Sequence, residues 1–445
     1  MEFAKLILNK VVEDGTTAPL TRHQITLADM HSKVDRDTYK FIEEYAAENG
    51  GKSPSYLVVA GSVEGFEYLP EVSDSYTYLT RKLKAETAQR DVVRWFETGE
   101  FESKLNELGG ERFISEWLLP TVESLKQRTS IRETVGTNIK DDSAKFMSEY
   151  ERRKSGESFR IWKSKFSAIG EYVSGNLYTV FGKSGRGKSV IALEDAIFAA
   201  SQGANVLLWA MEMGWYEVLV RIYVSISGES GITTAQLNGV DMSAGFDSRD
   251  VRLGQLNDEF EEAFRHFVET LNEILPGNLT VRAVDDEDFG DRSLRALESD
   301  IEMTDADYVV IDPFYYLHYE KNTSKTTGGD AANTSMKLRA LAGRKSVAMI
   351  AITQADETPG SEDDDGEREL ELPERKDVKK TKALLEDASV LIGVDSAYKQ
   401  GRALVGVFKG RDGGEGNTSE LLYMPQFGVV REMVTGKEAA DVFDF

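Results

Sequence analysis

Eight consecutive residues, Gly182-Lys183-Ser184-Gly185-Arg186-Gly187-Lys188-Ser189, constrain this 445-residue chain more than any other stretch. They fit the pattern G-x-x-x-x-G-K-[ST]. Its glycines let backbone N–H groups turn inward onto phosphate oxygens, where a Cβ would be in the way. Such a loop needs a strand before it and a helix after it. Leu177-Tyr178-Thr179-Val180-Phe181 reads as the buried strand, and Lys188 to about Gln202 as the helix, whose positive end favours an anion. The pattern therefore predicts a bound nucleotide, ATP or another NTP, contacted by Gly182, Gly185, Gly187, Lys188, Ser189 and Val190. Lys188 would reach the β- and γ-phosphates. The Ser189 hydroxyl would join the Mg²⁺ ion that accompanies them.

A second metal ligand is expected at the end of another strand. Tyr308-Val309-Val310-Ile311-Asp312 supplies four strand-forming residues and then an acid. By composition alone this is any buried strand ending in a turn; the upstream loop makes Asp312 the metal candidate. Many ATPases of this kind follow that aspartate with a glutamate. Here Pro313 and a run of aromatics follow, so a base must come from elsewhere. The strand Asn205–Ala210 runs into Met211-Glu212-Met213, which puts an acid at its tip. Glu212 is either that base or a surface acid opening the next helix.

The rest of the chain divides by rhythm. The first ~120 residues read as mostly helical, with helices expected over Asp29–Ala47, Leu79–Phe96 and Phe113–Leu125. Residues 138–158 turn charged, a solvated helix or a linker ended by Gly156. From Gly175 onward short apolar runs alternate with amphipathic helices. Further strands are expected at Val347–Thr353, Val390–Val394 and Leu404–Phe408, which implies an α/β fold with a mostly parallel sheet covered on both faces. The chain has no cysteine, which excludes a disulfide scaffold, a catalytic thiol and a zinc ribbon. Its four histidines are too scattered for a metal cluster. No leader-like segment opens the sequence, and no apolar run approaches the ~20 residues that span a bilayer, so a cytoplasmic protein without a membrane partner is expected.

Several segments in order resemble the RecA-like ATPases, and among them the hexameric replicative helicases of the DnaB type. Ala210-Met211-Glu212-Met213 with Arg221 resembles their glutamate motif. Ala351-Ile352-Thr353-Gln354 resembles the strand ending in a γ-phosphate-sensing glutamine. Asp377-Val378-Lys379-Lys380-Thr381-Lys382, leading into Leu385–Val390, resembles the DNA-contacting loop. Phe408-Lys409-Gly410-Arg411-Asp412-Gly413 resembles the lysine-x-arginine motif that enters a neighbouring subunit's site. The resemblance covers about Gly175 to Val430, and the compact, divergent sequence fits a phage or mobile-element version in a bacterial host cell.

The resemblance implies a RecA-like sheet at 161–445, a linker with a helix at 126–160, and a small helical domain at 1–125 for oligomerisation or for docking a primase or loader. It implies a ring of six copies that couples NTP hydrolysis to movement along single-stranded DNA. Glu212 would be the base and Gln354 the sensor. Lys409 and Arg411 would act from the next subunit, although the residues alone, with Gly410 and Gly413, also read as a solvated basic turn. A primase would be a separate partner, as would a loader, because no cysteine ribbon exists for a fused one. A recombination protein, a KaiC-like regulatory ATPase and a nucleotide-binding loader are the competing readings. Three departures from the family pattern stand out: Lys382 stands where a small residue is common, Arg186 where a small or apolar one is, and the acidic stretch before the DNA loop is unusually long.

Net charge first argues against DNA, with 53 basic and 77 acidic residues giving −24. Its distribution argues otherwise. Asp356–Glu374 holds ten acids and one base, net −9, whereas Arg375–Lys382 holds five bases and one acid, net +4. Charge runs are usually solvated surface. With the resemblance, Lys379, Lys380 and Lys382 become the candidates for contact with single-stranded DNA.

Overall fold

The structure is a computed structural model that describes residues 3–130, 139–140, 143–237, 239–322, 326–356, 368–378, 381–410 and 413–433. The chain divides into two compact units, Met1–Ser143 and Ala144–Phe445.

The first unit is helical. Helix α1 (Phe3–Asp14) buries Phe3, Ala4, Ile7, Leu8, Val11 and Val12, the one-sided spacing of an amphipathic helix. Helix α2 spans Lys33–Glu48 and begins four residues later than the periodicity of Asp29–Ala47 predicts. Ser32 sets that start. Its Oγ accepts from the Asp35 N–H at 2.9 Å, while Asp35 Oδ2 accepts from the Ser32 N–H at 3.2 Å. Asp29 instead closes a short turn, Leu27–Asp29, and is fully buried. Its partner comes from helix α3 (Tyr76–Glu97): Lys84 Nζ donates to Asp29 Oδ2 at 2.6 Å and to the Gln24 carbonyl at 2.8 Å.

The second unit is built on a sheet with nine strands among the described residues. They are β1 (Leu177–Gly182), β2 (Asn205–Ala210), β3 (Asn278–Ala283), β4 (Tyr308–Asp312), β5 (Ala348–Gln354), β6 (Val390–Ala397), β7 (Arg402–Gly410), β8 (Thr418–Met424) and β9 (Val429–Glu432). The spatial order is β9-β8-β7-β6-β1-β5-β4-β2-β3. Neighbours from β6 through β3 pair in parallel. Strands β7, β8 and β9 extend the other edge antiparallel. The α/β, mostly parallel architecture expected from the sequence is present.

The central strands are apolar throughout because helices cover both of their faces. Val206, Leu208, Val310 and Tyr178 face one core with α4 (Lys188–Ser201) and α5 (Trp215–Ser230). Leu207, Trp209, Val309 and Leu177 face the other, with α6 (Leu294–Thr304) and α7 (Gly329–Lys345). Strands β3, β8 and β9 are additions to the strands expected; each carries polar residues on a face the helices leave uncovered. Helix α4 is also held from below. Its Asp195 accepts from the Tyr172 hydroxyl at 2.6 Å, the Ser164 hydroxyl at 2.8 Å and the Lys165 N–H at 2.7 Å. Burial still pushes that carboxyl up to about 6. No helix among the described residues is long and apolar enough to cross a membrane.

Candidate active site

Four adjacent parallel strands, β1, β5, β4 and β2, present their carboxyl ends at one edge of the sheet, where open α/β sheets bind ligands; with Ile311 opposite Ala351, β5 runs on past the level of Asp312 to Gln354. Gly182 pairs in register with Gln354, and Ala210 with Asp312. The Met211 N–H donates to the Asp312 carbonyl at 2.8 Å, which carries the alignment one residue past the β2 strand, to the position before Glu212.

The loop after β1 needs its glycines for space as well as for conformation. A Cβ on Gly182 would lie 2.5 Å from the Val394 carbonyl oxygen, and Gly187, at φ +88°, would put one 2.8 Å from the Tyr423 hydroxyl. Gly187 is also the cap of α4, and no side chain caps that helix start, which leaves the first-turn amides directed at the loop. Val190 lies in the first turn. Lys188 folds back so that its Nζ donates to the Lys183 carbonyl at 2.7 Å. Burial holds its pKa below the usual lysine range, and the carboxylates of Asp312 and Glu212 oppose that shift.

Asp312 is buried, with 7% of its surface exposed. Desolvation pushes its carboxyl up to about 6, with Glu212 adding to the rise; the Ser189 hydroxyl, Lys188 and Arg221 pull it down. A buried carboxylate in that condition gains from a cation. Ser189 and Asp312 form an all-oxygen pair of the sort a magnesium ion accepts with phosphate and water completing its shell. Among the described residues there is no cluster of three His, Cys, Asp or Glu to hold a metal without such help.

A residue with no predicted role joins this group. The Tyr315 hydroxyl donates to Glu212 Oε1 at 2.9 Å and lies 3.5 Å from Gln354 Oε1. Burial, with Glu212 beside it, raises the tyrosine above its usual pKa range. In the sequence nothing sets Tyr315 apart from its aromatic neighbours Phe314 and Tyr316; in the fold Phe314 and Leu317, both buried, hold the turn that carries it.

One chain thus brings Lys188, Ser189, Asp312, Glu212 and Gln354 together. Lys409 is placed elsewhere: its Nζ donates to the Glu386 carbonyl at 2.9 Å and the Ala388 carbonyl at 2.6 Å. Lys382 is exposed at the start of a short helix, Lys382–Asp387. Thr381 before it is buried and shares a 2.6 Å hydroxyl contact with Thr353 of β5. Lys379, Lys380 and Arg411 lie outside the described residues. Arg186 approaches Asp395 at 4.0 Å, a carboxylate that Arg368 also grips at 2.6 and 2.7 Å.

No family model matches the chain, and no curated protein matches it in sequence. Solved structures do. One is described as a DnaB-like replicative helicase studied with its interactions with primase; at 16% identity it covers 98% of this chain and 100% of its own, with a TM-score of 0.63. A separately solved ATPase domain (16% identity, 67% of this chain and 100% of that one, TM-score 0.49) and the RadB recombinase (14%, 60% and 96%, TM-score 0.36) also match. At such identities the likeness speaks of architecture, and along nearly its whole length this chain has the fold of a DnaB-like replicative helicase.

Proposed function

We propose that the chain is an ATP- or other NTP-driven DNA helicase that works as a ring of six copies on single-stranded DNA. The observation that carries this is the convergence of Lys188, Ser189, Asp312, Glu212 and Gln354 on neighbouring strand tips, joined by Tyr315. Lys188 binds the β- and γ-phosphates, giving up its hydrogen bond to the Lys183 carbonyl for a charge-assisted one. Ser189 and Asp312 hold magnesium, which when bound neutralises phosphate charge. Glu212 orients the attacking water and takes its proton, and Gln354 detects whether the γ-phosphate is present.

Lys409 and Arg411 complete the neighbouring copy's site and stabilise charge on the transferring phosphoryl group. Lys409 then trades two carbonyl acceptors in its own chain for an anion in the next. A site shared this way lies at a head-to-tail interface, and repetition of that interface closes a ring. The helical region at 1–125 serves oligomerisation and docking of a separate primase and loader, the segment 126–160 links it to the ATPase, and 161–445 forms the motor.

Lys379, Lys380 and Lys382 bind DNA phosphates. Replacing Lys379 and Lys380 together with Ala should weaken single-strand binding and flatten its salt dependence, by roughly 0.7 in the log–log slope for each phosphate left without its lysine. Fluorescence anisotropy across a salt series measures both. Unchanged affinity and slope would place the DNA elsewhere on the protein.

A further inference from the structure

Glu212 is an exposed glutamate at a strand tip, and an exposed glutamate side chain samples many rotamers. Attack by water tolerates little such freedom, because a displacement of an ångström in a catalytic group costs orders of magnitude in rate. Backbone pairing through Met211 fixes where the side chain starts but not where the carboxylate ends. Among the described residues the hydrogen bond that fixes its end comes from Tyr315.

That tyrosine is itself on a rigid base. Phe314 is completely buried and Leu317 is 5% exposed, and the turn between them closes through the Leu317 N–H to the Phe314 carbonyl at 3.1 Å. The hydroxyl carries a single proton. At 2.9 Å that proton belongs to Glu212; at 3.5 Å Gln354 Oε1 is a second acceptor just beyond good geometry. A small rotation of the hydroxyl moves the bond from one to the other.

We infer that Tyr315 is a positioning residue for hydrolysis: it fixes the Glu212 carboxylate in one orientation and ties that orientation to Gln354. The inference rests on the reading of Glu212 as the base. It predicts that the two tips respond as a unit, since movement of Gln354 toward a γ-phosphate shifts the shared hydroxyl. Filling space is the competing role for the ring, and Tyr315→Phe keeps the ring while removing only the hydroxyl.

The test uses the full chain with single-stranded DNA. In Tyr315→Phe, kcat for ATP hydrolysis should fall about tenfold, while the Kd for a fluorescent ADP analogue stays within about twofold and the melting temperature is unchanged. In a Glu212→Gln background the same substitution should cause no further loss, because a residue that acts through Glu212 has nothing left to position. Wild-type kcat in Tyr315→Phe would overturn the inference. So would loosened nucleotide binding in step with lost turnover, or a second tenfold loss on top of Glu212→Gln. The two readings separate cleanly. Full turnover in Glu212→Gln removes the base assignment whatever Tyr315 does, whereas a slow Glu212→Gln beside a fast Tyr315→Phe removes only the positioning role.

Discussion

Glu212→Gln should bind nucleotide as well as the wild type and hydrolyse it about a hundred to a thousand times more slowly, within the range general-base catalysis contributes. The substitution keeps the shape of the side chain, and the amide oxygen can still accept from Tyr315. The backbone position, set by Met211 and Asp312, is untouched. What is lost is a basic oxygen. The missing charge also acts on its neighbours in a direction that spares binding, since Glu212 adds to the rise in the Asp312 pKa and its removal relieves that carboxyl. Nucleotide affinity by fluorescence titration and turnover by phosphate release separate the two effects. Turnover at the wild-type rate would show that Glu212 is not the base, and parallel loss of affinity would make its role structural.

The largest effect on stability is expected in the helical unit. Lys84 and Asp29 are paired at 2.6 Å with 2% and 0% of their side chains exposed. Asp29 also accepts from the Thr26 N–H at 2.8 Å, and so organises the turn ahead of α2. Lys84→Met keeps most of the buried volume but strands a carboxylate in the interior, at a cost of about 3–5 kcal/mol. Adding Asp29→Asn should recover a good part of the loss, because the two positions share one interaction. Chemical denaturation of the full chain measures this. A midpoint for Lys84→Met that matches the wild type would mean that the buried pair contributes nothing net.

The motor's centre is legible in the sequence for a physical reason. Strands β1, β2, β4 and β5 are covered on both faces, so they appear as continuous apolar runs, and the residue that follows each run falls at the site. The edges are less legible. Strand β3 alternates Leu279 and Val281 with Thr280 and Arg282, the period-two pattern of a half-covered strand, which a search for continuous apolar runs passes over. Periodicity misplaces the start of α2 because Met30 fits the helical period yet is buried through the preceding turn, while Ser32 supplies the cap. Tyr315 is invisible for a different reason. Its role depends on the spacing of strand tips that are adjacent in the sheet but more than a hundred residues apart in one case, Glu212 to Tyr315. Arg186, odd as a sequence choice, has a physical account in Asp395, which it shares with Arg368 of the acidic stretch.

Strand separation on a forked duplex tests the central claim most directly. The full chain, supplied with ATP and Mg²⁺, should release the displaced strand in a reaction that needs single-stranded tails and stops with Glu212→Gln. A chain that hydrolyses ATP on single-stranded DNA but leaves the fork intact, or that exchanges homologous strands instead, would contradict the helicase reading.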